Sequence, residues 1–212
     1  METFYTYAGN SVYFFQAILA FVGAYALIMV WRRVGGTAFD DEEEQEEFLS
    51  EFEQALVARD YDAAAELCEG DRRTMPQLAL FALTNRELGY AKLRGRVGER
   101  FQQDVMADIE HRLSWVATAI KTAPMLGLLG TVMGMMGAFA KLGGSEKVDP
   151  TAMATDIQFA LITTAVGLAI AVPLMVGLAS VNINIRKMED LTGLGLSRLF
   201  DTLKAMFPGG NR

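Results

Sequence analysis

The sequence predicts an all-α membrane protein with three transmembrane helices, long cytoplasmic helical extensions and its N-terminus on the outer side. Composition is the first observation: 51% of the 212 residues are hydrophobic, yet 26 are acidic, so charge and apolar surface must be segregated along the chain. The second is that segregation itself. Phe4 to Trp31, Thr122 to Ala140 and Ile157 to Ile185 contain no Asp, Glu, Lys or Arg, and each reaches the roughly 20 residues that cross a bilayer. The third is the placement of bases at the ends of those runs, which sets orientation.

The first helix is predicted at 11–31. A cleaved signal peptide would carry a basic leader and a short apolar core, whereas the ten residues before this run hold one acid and no base. The run is therefore read as a retained span. Arg32 and Arg33 close it, Arg112 and Lys121 precede the second span, and Arg186 and Lys187 follow the third. Basic residues stay on the cytoplasmic side, so the N-terminus faces outward and the polar region 33–118 lies in the cytoplasm.

That region opens with the acidic run Asp40 to Glu47. Its plain reading is a solvated linker or first helical turn, and the functional alternative is a docking surface for a basic partner. Phe48, Phe52 and Leu56, then Tyr61, Ala65 and Leu67, follow helical spacing and predict a pair of short helices. From Val97 the apolar residues recur at Phe101, Val105, Ile109, Leu113, Val116 and Ile120. This continuous stripe runs into the second span, predicted at 122–141, with no turn signal between them. The third span is predicted at 158–181, and Met188, Leu191, Leu194, Leu199 and Leu203 carry the amphipathic pattern beyond it. The organisation is thus 1–32, N-terminus and first span; 33–118, cytoplasmic helical region; 119–184, second and third spans with a short outer loop; and 185–212, C-terminal cytoplasmic helix.

Within the second span, Gly127, Gly130, Gly134 and Gly137 are spaced three, four and three. That spacing puts all four on one helix face, and a face of small residues lets two helix backbones approach closely in lipid. In the third span Ala160, Thr164, Gly167 and Ala171 form a similar stripe. Pro124 is placed near the opening of its span, where a missing donor is tolerated. Pro173 is interior and should kink the third helix.

The search for catalytic chemistry finds little. His111 is a lone histidine beside Glu110 and Arg112, and Cys68 is the single cysteine, which fits a reducing compartment. The sequence has no clustered metal spacing, phosphate loop or nucleophile elbow. No enzymatic activity, cofactor, metal or nucleic-acid partner is expected. What remains polar in the membrane is Thr131, on or beside the glycine face, and Thr164, with Thr163 about 100° away from it around the helix. These hydroxyls either bond back to their own helix carbonyls or line a shared, partly hydrated seam. No carboxylate, histidine or lysine lies within the three spans. A proton path normally needs a titratable group near the midplane, so a proton-driven machine built on this chain must take that group from another subunit.

TAPMLGLLGTVMGM at Thr122 to Met135, followed by ALITTAVGLAIAVP at Ala160 to Pro173, resembles the MotA/TolQ/ExbB proton-channel family. The blocks occur in the family's order and in its last two spans, and three spans favour the ExbB/TolQ branch over the four-span MotA branch. The resemblance implies a bacterial inner-membrane stator with a periplasmic N-terminus: a homopentameric ring in membrane lipid whose second and third helices line a pore. It implies single-span partners of the ExbD/TolR type inside the ring, each supplying a titrating aspartate. On this sequence it assigns Thr131 and Thr164, and less directly Thr163, as pore-lining polar residues. Many relatives carry a glutamate five residues before the second threonine, where this chain has Phe159 with Asp156 nearby. Asp156 then either takes over that role or caps the third span. A flagellar stator of the MotA type and a passive membrane scaffold are the rival readings.

Overall fold

The computed structural model describes residues 2–39, 41–144 and 150–206. Among them the fold is entirely helical, with three helices long and apolar enough to cross a membrane. In chain order the α-helices are α1, Glu2–Thr37; α2, Glu42–Val57; α3, Tyr61–Glu66; α4, Thr74–Thr84; α5, Tyr90–Phe101; α6, Ala107–Gly144; and α7, Pro150–Met206. The chain divides into two compact units, Met1–Met29 with Arg112–Ser180, and Val30–His111 with Val181–Arg212. Met1, Asp40, 145–149 and 207–212 lie outside the described residues, so the start of the acidic run, part of the predicted outer loop and the end of the C-terminal segment do too.

The first unit is inside-out by the standards of a water-soluble protein. Phe14, Phe21, Leu128, Phe139, Leu161 and Val176 are exposed, whereas the buried positions include Ala119, Ala123, Ala138, Ala160, Ala171 and Gln16. Leucine gains nothing by leaving hydrocarbon for a protein interior, so helices in lipid associate through small residues and hydrogen bonds. Gly23 of α1 sets the approach to its neighbours: a Cβ there would lie 2.8 Å from a Leu174 methyl and 2.9 Å from Ala119 Cβ.

The second unit has an ordinary apolar core. Leu49, Phe52 and Leu56 of α2, Met75 and Leu78 of α4, Leu93 and Val97 of α5, and Leu199 and Leu203 of α7 are buried together. The two predicted short helices are α2 and α3. Glu42, Glu43 and Glu44 fill the first turn of α2, where the helix dipole favours negative charge. Asp60 caps α3, its Oδ1 accepting from the Ala63 amide at 3.1 Å. Glu44 also pairs with Arg73, whose guanidinium lies on Asp71. Arg198 donates to both Glu53 carboxylate oxygens at 2.9 and 3.0 Å, fixing the last turns of α7 on α2.

Four sequence expectations change in detail. The stripe from Val97 crosses a π-helical turn at Gln102–Met106, after which Met106 and Ile109 are buried and Val105 is only partly so. Four successive steps of four residues drift by about 160° around a regular α-helix, and the extra residue of the π turn takes up part of that drift. Leu194 is 60% exposed; Thr192 and Gly195 occupy the buried face instead, and a Cβ at Gly195 would meet Gln45 Nε2 and Met75 Sδ at 2.9 Å. Pro124 is interior to α6, because the helix already runs from Ala107. Asp156 sits six residues inside α7, which begins at Pro150, so it does not cap that helix. Pro173 lies within an unbroken α7.

Candidate functional site: a threonine cluster on a glycine face

The glycine face of α6 packs against α7 of the same chain. A Cβ at Gly127 would lie 2.7 Å from the Thr163 carbonyl oxygen and 2.8 Å from Thr164 Cα. At Gly130 it would meet Thr163 Oγ1 at 2.5 Å, and at Gly134 Ala160 Cβ at 2.6 Å. Gly167 answers from α7, its absent Cβ falling 2.5 Å from the Ala123 carbonyl oxygen and 3.1 Å from Pro124 Cα. Cβ atoms do not approach other atoms so closely, so the backbones sit at a distance that only glycine permits. Gly137, the fourth of the series, is partly buried.

This approach brings three hydroxyls onto one backbone oxygen. Thr131, Thr163 and Thr164 all lie within donating distance of the Gly127 carbonyl, at 3.1, 3.0 and 3.0 Å. Thr131 Oγ1 also reaches the Ala160 carbonyl at 3.2 Å and Thr163 Oγ1 reaches it at 2.7 Å, while the Thr131 and Thr164 hydroxyls share a hydrogen bond. The first of the two sequence readings, hydroxyls bonded back to their own helix, holds for two of the three, and a bridge between helices is added to it. Thr131 and Thr163 do bond back to their own helices, and all three threonines also bridge α6 and α7. Thr163 is fully buried, whereas Thr131 and Thr164 are partly exposed.

Each threonine has one proton and at least two acceptors in reach, so the pattern of donation is not unique. Thr131 donates to Thr164 while Thr164 donates to Gly127, or Thr164 donates to Thr131 while Thr131 donates to a carbonyl. The two patterns differ by hydroxyl rotation alone. The oxygens can solvate a cation or pass hydrogen-bond polarity along the seam, but threonine does not take up a proton near neutrality. Among the described residues no cluster of His, Cys, Asp or Glu is arranged to hold a metal ion.

One participant was missed by the sequence reading. Gln16 of α1 is fully buried, and its Nε2 donates to the Thr163 carbonyl at 2.8 Å. The same nitrogen lies 3.3 Å and 3.1 Å from where Cβ atoms at Gly127 and Gly167 would be, so its amide occupies a notch that the two glycines leave open. A glutamine inside a charge-free run was the available signal, since an amide in hydrocarbon must find a partner. Three residues earlier, Tyr13 packs edge-on against Phe159, ring centroids 5.1 Å apart, and its hydroxyl lies 3.5 Å from the Phe159 carbonyl oxygen. Phe159 thus fills the position of the expected glutamate with an aromatic contact.

The sequence profile of the MotA/TolQ/ExbB proton channel family matches residues 89–192, which include every threonine and glycine of the cluster. The ExbB-like 2 biopolymer transport protein of Helicobacter pylori strain 26695 is 42% identical over 83 residues, 39% of this chain and 53% of that protein. The Tol-Pal system protein TolQ of Haemophilus influenzae is 35% identical over 82 residues, 39% of this chain and 36% of that protein. The chain thus spans about half the length of the first relative and about a third of the second. The biopolymer transport protein ExbB of H. pylori strain J99 is 32% identical over 118 residues, which are 54% of this chain and 77% of the relative. Similarity over 77% of a relative, together with the profile match over 89–192, makes this chain a member of the MotA/TolQ/ExbB proton channel family, in its ExbB/TolQ-like branch.

Proposed function

We propose that this chain is a ring subunit of a proton-driven stator in the bacterial inner membrane, converting ion motive force into mechanical work on the cell envelope or on transport. The observation that carries the reading is the cluster of Thr131, Thr163, Thr164 and the Gly127 carbonyl, an oxygen-rich seam between two apolar spans. Hydroxyls and a carbonyl suit the wall of an ion path, because they stabilise a passing cation without trapping it. The three charge-free runs supply no acid or base, so the titrating group belongs to a partner. A single-span chain of the ExbD/TolR type, with an aspartate in its helix, meets that need.

The bases Arg32, Arg33, Arg186 and Lys187 at the span ends support an N-terminus in the periplasm and a second unit in the cytoplasm. The exposed apolar faces of α1, α6 and α7 meet lipid and neighbouring copies in a pentamer. The rival, a passive scaffold, draws support from the hydroxyls being engaged within the chain.

Native mass spectrometry of the chain purified with its neighbouring single-span partner tests the architecture. Five copies with two partner chains support the stator; a monomer or dimer that ignores the partner, in detergent that preserves related complexes, favours the scaffold.

A further inference from the structure

The glutamine in α1 is more than an anchor. Its amide is fully buried, and among the described residues only Nε2 of its two polar ends has a partner; Oε1 is buried with none. The orientation is fixed by chemistry, since the Thr163 carbonyl can only accept and so requires the amide nitrogen. A leucine of similar volume would fill the notch beside Gly127 and Gly167 without leaving an acceptor unsatisfied, which is the more costly state in an apolar interior. The chain instead carries an amide whose donor half lands on the carbonyl of a cluster threonine. That carbonyl belongs to the residue whose hydroxyl lies 3.0 Å from the Gly127 carbonyl oxygen, and the next hydroxyl in sequence, Thr164, lies 3.0 Å from the same oxygen.

We propose that Gln16 is a positioning residue of the threonine cluster: by holding the Thr163 carbonyl, it fixes the turn of α7 that presents Thr163 and Thr164 to Gly127. It makes α1 part of the site. It touches no ion itself and acts through Thr163. The proposal deepens the reading of the cluster as an ion path and rests on that reading for its consequence, but the positioning can be measured separately.

The test is hydrogen–deuterium exchange on the full chain, together with any copurifying partners, in lipid nanodiscs, with rates corrected for the intrinsic effect of pH. Gln16→Leu is expected to speed exchange of the amides around Thr163–Gly167 and Gly127–Thr131 about fivefold, the effect of losing one neutral hydrogen bond. Gln16→Glu separates positioning from packing. A protonated glutamic acid can donate to the Thr163 carbonyl as the amide does, whereas the ionised form offers that carbonyl only acceptors. Protection in Gln16→Glu is therefore expected to match wild type at low pH and to fall as the new side chain ionises, a transition absent from wild type. The charge-free runs that pack around it contain tyrosines as their only titratable groups, Tyr13 being the nearest in sequence. If Gln16→Leu does not fold, the pH transition of Gln16→Glu decides the matter.

Wild-type exchange in both variants at every pH overturns the proposal. Proton flux of Thr131→Val in the same particles reconstituted as vesicles separates the two claims. Loss of flux there with unchanged exchange in the Gln16 variants leaves the ion path standing and refutes the positioning role; loosened amides with intact Thr131→Val flux do the reverse.

Discussion

Gly127→Ala is the sharpest perturbation of the seam, because the atoms it meets are backbone. The added Cβ would sit 2.7 Å from the Thr163 carbonyl oxygen and 2.8 Å from Thr164 Cα, against an ordinary contact distance of about 3.5 Å or more. Neither atom can rotate away, so α6 and α7 must part by roughly 0.8 Å, and overpacking of this kind costs about 1–3 kcal/mol. Parting also stretches the bonds from Thr163 and Thr164 to the Gly127 carbonyl, now 3.0 Å each, beyond the roughly 3.2 Å at which hydrogen bonds remain effective. At about 0.6 kcal/mol per hydrogen bond between membrane helices, the total loss is about 2–4 kcal/mol. Reversible unfolding in mixed micelles measures it. Gly193→Ala provides the control, since nothing lies within 4 Å of a Cβ there and helix propensity favours alanine by about 1 kcal/mol. A Gly127→Ala variant as stable as Gly193→Ala would refute the close approach on which the cluster depends.

Three further predictions concern the second unit. Burial opposes ionisation of Asp71, but hydrogen bonds and charge from Arg73 outweigh it and hold the carboxyl below its usual value. A depressed carboxyl contributes stability above its unfolded pKa of about 3.9 and loses it as pH falls through the folded value. Asp71→Asn should therefore lower stability at pH 7 and flatten its decline below about pH 4, as read by thermal unfolding across pH. Burial, reinforced by the Asp71 charge, pushes the Cys68 thiol up to about 12, so the folded protein should resist maleimide at neutral pH and label only in denaturant; fast labelling of folded protein would contradict its burial. Leu199→Ala, at a fully buried core position, should cost about 2–5 kcal/mol, whereas Leu194→Ala, at an exposed one, should change the same unfolding transition by less than about 0.5 kcal/mol.

The three spans were legible because removing charge from lipid is a requirement that composition records directly, and the helices extending beyond them followed from periodicity, with a π turn at Gln102–Met106 inside one stripe. The glycine spacing likewise marked the face on which α6 meets α7, and Thr131 and Thr164 were placed by their offsets from small residues. Helical spacing also placed Thr163 some 100° from Thr164, but it did not indicate that both hydroxyls reach one carbonyl: Thr163 does so from the buried side of α7, and Thr164 from its partly exposed side. Gln16 escaped notice because charge, not polarity, defined the runs, and its partner is distant in sequence. The run of four-residue steps from Val97 does not by itself distinguish a regular stripe from one that crosses a π turn. At Leu194, hydrophobicity pointed to burial; close packing against Gln45 and Met75 needed the small Gly195 instead.

The most direct test is proton flux through vesicles containing the chain with its single-span partner, comparing wild type with Thr131→Val and Thr164→Val. Valine keeps nearly the volume of threonine and removes the hydroxyl. An ion path along the seam predicts loss of flux with the copy number of the complex unchanged. Wild-type flux in both variants would contradict it and leave the three threonines as the polar packing of two closely approaching helices.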